Sequence, residues 1–562
     1  MARTPLSHVD LAWLRMDDPR NLMIITGFMT LEAPLSLDSL KAVVAGSLLK
    51  YDRFRQRVVM STLPMRPPYW EEDLNLDLDA HVEVVRLPSP SGHAELEDYV
   101  GQMMAMPLDY SRPLWKLYLI ENYVSDEGLQ GSAVVARLHH VIADGIALMH
   151  VLLSMASSDP AAPLPKPWSA KKVRSLPLPV SEAGETTRFD RMADLAVDLA
   201  GKVSEETFKL ITDPRYARKQ ARLGVSAAVA LGKLVLRWPD PQTVFKGEPG
   251  YQKRASWSKP LSLDLVKQAG KALDATVNDL LLSAVAGALR RYVQRRGGSV
   301  NDLNIRGVIP VNLRPLDMAG QLGNQFGLVF LSLPLGIADP LERVRELKRR
   351  MDALKSTPEA VVAFGVLKIF GAVPEAIQDI GVQIFDTKGS AVMTNVPGPK
   401  EKLYLAGAPV GTVLAWVPQS GRVSLGVSII SYHGKVWVGV ATDEEMVPDP
   451  HQIVAMFNEE FAQMVELAQN APARPPNDIA GMLKALDQAI SKLEQVQVSR
   501  QAPKALPAAA PAAPVRPEPL EPAPAVGSGA EPAARCQAQT KAGQPCRNLA
   551  LPGQEYCRVH QK

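Results

Sequence analysis

Cysteine is missing from nearly the whole chain. All three cysteines stand at or beyond Cys536 in a sequence of 562 residues, so the main body can hold no disulfide and suits a reducing cytoplasm. Long uncharged apolar runs are missing as well. A membrane span needs ~20 such residues. The nearest stretches, 223–238 and 360–373, are broken by Lys233 and Arg237 and by Lys368, and read as buried or interfacial helices. No apolar leader follows Met1, so no secretory signal is expected. There is no Gly-x-Ser-x-Gly elbow, which counts against a lipase-type serine nucleophile. Neither sign of charge dominates: a formal net charge of +3 argues against bulk nucleic-acid binding by the main body.

What is present is globular in kind, with 46% hydrophobic and 22% charged residues, and too long for one ordinary domain. One heptapeptide organises it: His139-His140-Val141-Ile142-Ala143-Asp144-Gly145. Residues 132–138 alternate as a strand does, and residues 146–156 form an apolar stretch that reads as a buried helix. The two histidines therefore stand at a strand end. Neighbours on a strand point to opposite faces, so one imidazole can face a cavity and the other the core. Imidazole is the usual general base near neutral pH, with an unperturbed pKa of about 6.5. A buried, hydrogen-bonded pair without chemistry is the competing reading. A metal pair fits less well, because no other ligands cluster nearby.

The HHxxxDG pattern is that of the CoA-dependent acyltransferase superfamily, and the surrounding sequence narrows the resemblance. Leu6-Ser7-His8-Val9-Asp10, Pro113-Leu114-Trp115, Thr276-Val277-Asn278-Asp279, the run 308–314, Gly323-Asn324, the run 395–399 and the run 428–432 resemble the bacterial wax ester synthase/diacylglycerol acyltransferase family. That family often has Pro where His8 stands. The resemblance covers residues 5–465. It implies an α/β fold of two chloramphenicol-acetyltransferase-like domains with a tunnel between them. It also implies His140 as the catalytic base and Pro113, Leu114 and Trp115 as part of an acyl pocket, although on physical grounds those three are ordinary packing.

Residues 1–160 read as the first α/β domain. Residues 161–255 form a Pro-rich linker and helical crossover, and 256–470 the second α/β domain, which has no HHxxxDG of its own. Within the crossover, Arg215, Arg218, Lys219 and Arg222 open a stretch that then turns apolar. It suits either a solvated connection or attachment to an anionic lipid surface. Asn278 and Asp279 head the helix over 280–296, which makes capping the simple reading of Asn278. The resemblance places it near the active site.

Residues 471–500 carry a short amphipathic helix, and the Pro/Ala-rich tract 501–534 reads as a disordered tether. Residues 535–562 differ again. Cys536, Cys546, Cys557 and His560 supply three thiols and one imidazole, a full tetrahedral set for zinc. The segment resembles small three-cysteine, one-histidine zinc modules, and its basic excess leaves nucleic-acid or acidic-lipid binding open.

The expected activity is acyl transfer from long-chain acyl-CoA to diacylglycerol or a fatty alcohol, with His140 as base and no catalytic cofactor. His139 would support the turn. Asp144 would fix the loop, through an ion pair with an arginine such as Arg314. Gly145 would let the chain turn without a Cβ clash, and Asn278 is a candidate oxyanion donor. The alternatives are a condensation-type or polyketide-associated enzyme with a carrier-bound donor, and an inactive lipid-droplet scaffold. No carrier domain is present, and the intact motif weighs against a scaffold. The expected location is cytoplasmic, peripheral to the inner membrane or lipid inclusions.

Overall fold

A computed structural model describes residues 3–61, 67–168, 238–313, 323–324, 326–355, 387–419 and 421–470. The basic run from Arg215 to Arg222, Arg314, the amphipathic helix and tether of 471–534 and the four tail ligands Cys536, Cys546, Cys557 and His560 lie outside them.

Two large sheets carry the fold. The first orders its strands Tyr404–Leu405, Ala408–Trp416, Ile24–Leu31, Gln130–His139, Trp115–Val124 and Val82–Val85. All neighbours are antiparallel except the last pair. The second runs Phe326–Leu333, Ile305–Asn312, Ala391–Pro397, Leu425–Tyr432, Lys435–Asp443 and Lys253–Trp257, and Leu261–Ser262 also pairs with Lys435–Asp443. A small third sheet joins Thr4–Pro5, Tyr69–Glu72 and Gln56–Val59.

The central strands are covered on both faces. Every residue of Ile24–Leu31 is buried, which is why this segment reads as a continuous apolar run instead of an alternating one. Helices Leu37–Val43 and Gly145–Leu153 belong to the first half. Leu263–Ala272, Val277–Arg295, Pro340–Lys355 and Pro450–Gln469 belong to the second. A buried Arg343–Glu460 ion pair joins the last two, and Arg343 Nε also donates to the Ser283 carbonyl at 3.1 Å. No single helix among the described residues is long and apolar enough to cross a membrane.

The halves share a strand. Ala408–Trp416 comes from the second half of the sequence yet completes the first sheet beside Ile24–Leu31, with Ala415 opposite Gly27. A Cβ on Gly27 would lie 2.7 Å from the Ala415 Cβ, so glycine permits the close pairing. The register slips between Val410 and Val413. There the Thr412 amide donates to Thr30 Oγ1 at 2.8 Å instead of continuing the ladder.

Candidate active site

The strand Gln130–His139 delivers the two histidines to its end, where they part as strand geometry requires. His139 is fully buried. Its Nδ1 accepts the Val141 amide at 3.0 Å, which leaves the proton on Nε2. Nε2 lies 3.1 Å from Tyr110 Oη, and that hydroxyl donates to Asp17 Oδ2 at 2.5 Å. Asp17 also accepts the Met23 amide. Burial alone would raise the Asp17 carboxyl, but His139, Tyr110 and the Met23 amide outweigh it and hold the pKa below the ordinary value. His139 is thus anchored from both ring nitrogens, and its backbone amide is tied to the Leu114 carbonyl at 2.9 Å.

His140 faces the other way, into a pocket of about 1140 Å³, part of it open to solvent. The wall is assembled from both halves. Ile25, Gly145, Met149 and Trp416 come from the first sheet and its helix, and Val308, Phe326, Thr394, Asn395 and Ile430 from the second. Trp13, on helix His8–Arg15, stacks on the imidazole with ring centroids 4.2 Å apart, and Phe326 closes another side at 5.5 Å. The His140 amide donates to the Met23 carbonyl at 2.7 Å, and its carbonyl accepts Asn324 Nδ2 at 2.9 Å. Asn324 Nδ2 also donates to Asp10 Oδ1 at 2.8 Å, and burial raises the Asp10 carboxyl.

Burial pushes the His140 imidazole down to about pKa 4, although Asp144, its own backbone and Asn324 pull the other way. At neutral pH the ring is therefore uncharged and able to take a proton. Its Nδ1 is buried with no hydrogen bond of ordinary geometry among the described residues.

The other motif residues make the following contacts among the described residues. Asp144 is the N-cap of Gly145–Leu153, its Oδ1 accepting the Ala147 amide at 2.9 Å. Gly145 does not need its freedom for a left-handed turn. A Cβ there would stand 2.9 Å from Val417 Cγ1 in the pocket wall, so glycine is required for room. The cap of Val277–Arg295 is Thr276, which closes a reciprocal box with Asp279: amide to hydroxyl at 3.2 Å and amide to carboxylate at 2.9 Å. Asn278 does not cap. Its Oδ1 takes the amide of Asn395, so Asn278 stands one residue behind the pocket wall and Asn395 is on it.

Pro113, Leu114 and Trp115 do not line this pocket. Leu114 and Trp115 are core residues. The Trp115 indole donates to the Phe54 carbonyl at 2.9 Å and stacks on His81 at 4.3 Å. Among the described residues, no cluster of His, Cys, Asp and Glu could hold a metal ion. Trp13 and Phe326 were not singled out by the sequence. Asp10, Asn324 and Asn395 fell within the stretches that carry the family resemblance, without a role attached.

Known proteins resemble this chain over most of its length. The wax ester synthase/diacylglycerol acyltransferase catalytic domain matches residues 6–281, and the C-terminal domain of the same family matches residues 322–465. A Mycobacterium tuberculosis protein that carries the name diacylglycerol O-acyltransferase is 25% identical over 428 residues, 75% of this chain and 80% of that one. The wax ester synthase/diacylglycerol acyltransferase structure from Marinobacter aquaeolei superposes with a TM-score of 0.58 at 20% identity, over 83% of this chain and all of that one. The first condensation domain of a calcium-dependent antibiotic synthetase shares the fold, with a TM-score of 0.50 at 16% identity, covering 84% and 97% of the two chains.

Proposed function

The chain belongs to the wax ester synthase/diacylglycerol acyltransferase family, and from that premise we propose the following reaction for its pocket. A long-chain acyl group passes from acyl-CoA to a hydroxyl of diacylglycerol, giving triacylglycerol, or of a long-chain alcohol, giving a wax ester. The observation that carries this is a neutral, buried imidazole, His140, opening onto an apolar pocket lined by both halves of the molecule.

Neutral His140 accepts the proton of the acceptor hydroxyl. The oxygen bonds to the thioester carbonyl carbon, and negative charge collects on the carbonyl oxygen. As the carbonyl reforms, the C–S bond breaks and the imidazolium returns its proton to the departing CoA thiolate. A positioned base of this kind contributes ~10²–10⁴-fold. Thr394 and Asn395 place polar groups on the wall and are the candidate donors to the oxyanion, with Asn278 holding Asn395. The apolar wall favours alkyl chains and excludes water that would hydrolyse the thioester. The pocket extends into a tunnel that admits the two substrates. Purified protein given palmitoyl-CoA with and without diacylglycerol or hexadecanol, and monitored for free thiol, tests the reading. Acceptor-dependent release supports it, and release indifferent to acceptor contradicts it.

Two further parts of the proposal rest on sequence. The basic run from Arg215 to Arg222 attaches the enzyme peripherally to the inner membrane or lipid inclusions. Unchanged anionic-vesicle binding after changing Arg215, Arg218, Lys219 and Arg222 to Gln would refute it. Cys536, Cys546, Cys557 and His560 bind one zinc ion in a module separate from catalysis. Zinc retained by a chain ending at Arg500 would refute that.

A further inference from the structure

A second, narrow space of about 340 Å³, part of it open to solvent, lies next to the catalytic pocket, and its wall is apolar. Met149 and Ala415 line both spaces. Three elements agree on how the two are arranged. On the helix, Gly145 and Met149 face the catalytic pocket, while Met149, Leu152 and Leu153 face the second cavity. On one strand the order is Ile25, then Gly27 and Met29. On the neighbouring antiparallel strand it is Ala415, then Val413. Helix residues spaced by three and four, and strand residues spaced by two, share a face. The two cavities therefore lie end to end along one helix–sheet seam that runs away from His140. From Gly145 to Leu153 the helix spans ~12 Å.

The space arises from small residues in one cross-strand row. Ala415 pairs with Gly27, and Gly27 with Ala136, directly beneath the helix. An apolar wall of this kind favours hydrocarbon over water. Methionine, unbranched and with three rotatable bonds, can move aside where Leu or Phe would not.

On the basis of the acyl-transfer reading above, we infer that the seam receives the distal alkyl chain of a substrate. Met149 is the movable divider between the two cavities, and the depth beyond it sets the preferred chain length. With the reacting carbon beside His140, a short chain ends before Met149 and a long one passes it. Chain length is then read by the first sheet and its helix, through Met149, Ala136 and Leu152.

The test uses the full chain and rates of thiol release. One series varies acyl-CoA from octanoyl to stearoyl at fixed hexadecanol, and the other varies the alcohol from octanol to octadecanol at fixed palmitoyl-CoA. Ala136→Val fills the second cavity, with a β-branched side chain suited to a strand. It should lower the long-to-short ratio of kcat/KM by roughly tenfold in one series, in line with the discrimination of an apolar pocket against a few methylenes. Met149→Ala opens the divider and should move the optimum toward longer chains in the same series. The series that responds identifies the tail as that of the donor or the acceptor. Melting curves show whether each variant is folded, and the opposite expected signs keep the inference testable if one is not. Unchanged ratios in both series for a folded variant would overturn it. A wild-type chain that turns over nothing contradicts the acyl-transfer reading instead. Calorimetric binding of octanoyl- and palmitoyl-CoA to the same variants then decides the chain-length inference by the same ratio.

Discussion

The Trp13 indole lies almost flat on the His140 imidazole, with ring centroids 4.2 Å apart and planes 23° apart. Residues distant in sequence are thereby joined into one wall. The helix that carries Trp13 also carries Asp10, and Asp10 reaches the His140 carbonyl through Asn324. Its chemical effect is on the protonation of the base. An imidazole covered by indole and benzyl rings loses the water that would stabilise its charged form.

That coverage fixes a pH dependence. With His140 lowered to about 4, the active, neutral base persists throughout the neutral range. kcat/KM should stay flat from pH 8 to well below 6, as the base protonates only near its lowered pKa. Trp13→Ala should readmit water and move the acid limb up toward the unperturbed value of about 6.5. An acid limb already near 6.5 in the wild type would contradict burial as the controlling influence. Stability follows the same linkage. The unfolded chain binds this proton at about 6.5 and the native chain only near 4, so His140 leaves stability intact above 6.5 and diminishes it as pH falls through that window.

Tyr110→Phe keeps the ring over His139 and removes the hydroxyl between His139 Nε2 and Asp17. Both are then left without that partner, at a cost of about 1–3 kcal/mol in urea unfolding. Turnover should fall less than tenfold, since the relay anchors the histidine that does not face the pocket. A loss as large as that of removing His140 would assign His139 a part in the chemistry.

Gly145→Ala should impair turnover through lack of room, because its Cβ would stand 2.9 Å from Val417 Cγ1. The expected result is a several-fold rise in KM for palmitoyl-CoA with little change in melting temperature. Adding Val417→Ala should restore KM. Failure of the second change to rescue the first would mean that backbone conformation, not space, selects glycine here.

The sequence made most of the elements legible, and one strand of the first sheet shows why the reading was incomplete. Gln130–His139 and Gly145–Leu153 fall where alternation and the apolar run place them, within a few residues. Ala408–Trp416 carries Pro409 and Gly411, residues that ordinarily interrupt a strand. It is stabilised by pairing with Ile24–Leu31, nearly 400 positions away, which no local pattern can reveal. The same distinction holds at the site. HHxxxDG pointed to His140, which lines the pocket, because the motif is contiguous. Phe326 and Asn395 reach the site only when the two halves close on each other, and Trp13 reaches it from a helix well over a hundred residues before His140. Trp115 is the core residue that its apolar character implies, and only the family resemblance gave it a part in the pocket.

The central claim is that His140 is the base and His139 its neighbour in structure only. The most direct test compares thiol release by wild-type and His140→Ala proteins given palmitoyl-CoA and hexadecanol or diacylglycerol, with circular dichroism on both. The account predicts a fall of ~10²–10⁴-fold in kcat in a protein that remains folded. Turnover at the wild-type rate in a folded His140→Ala protein would contradict it.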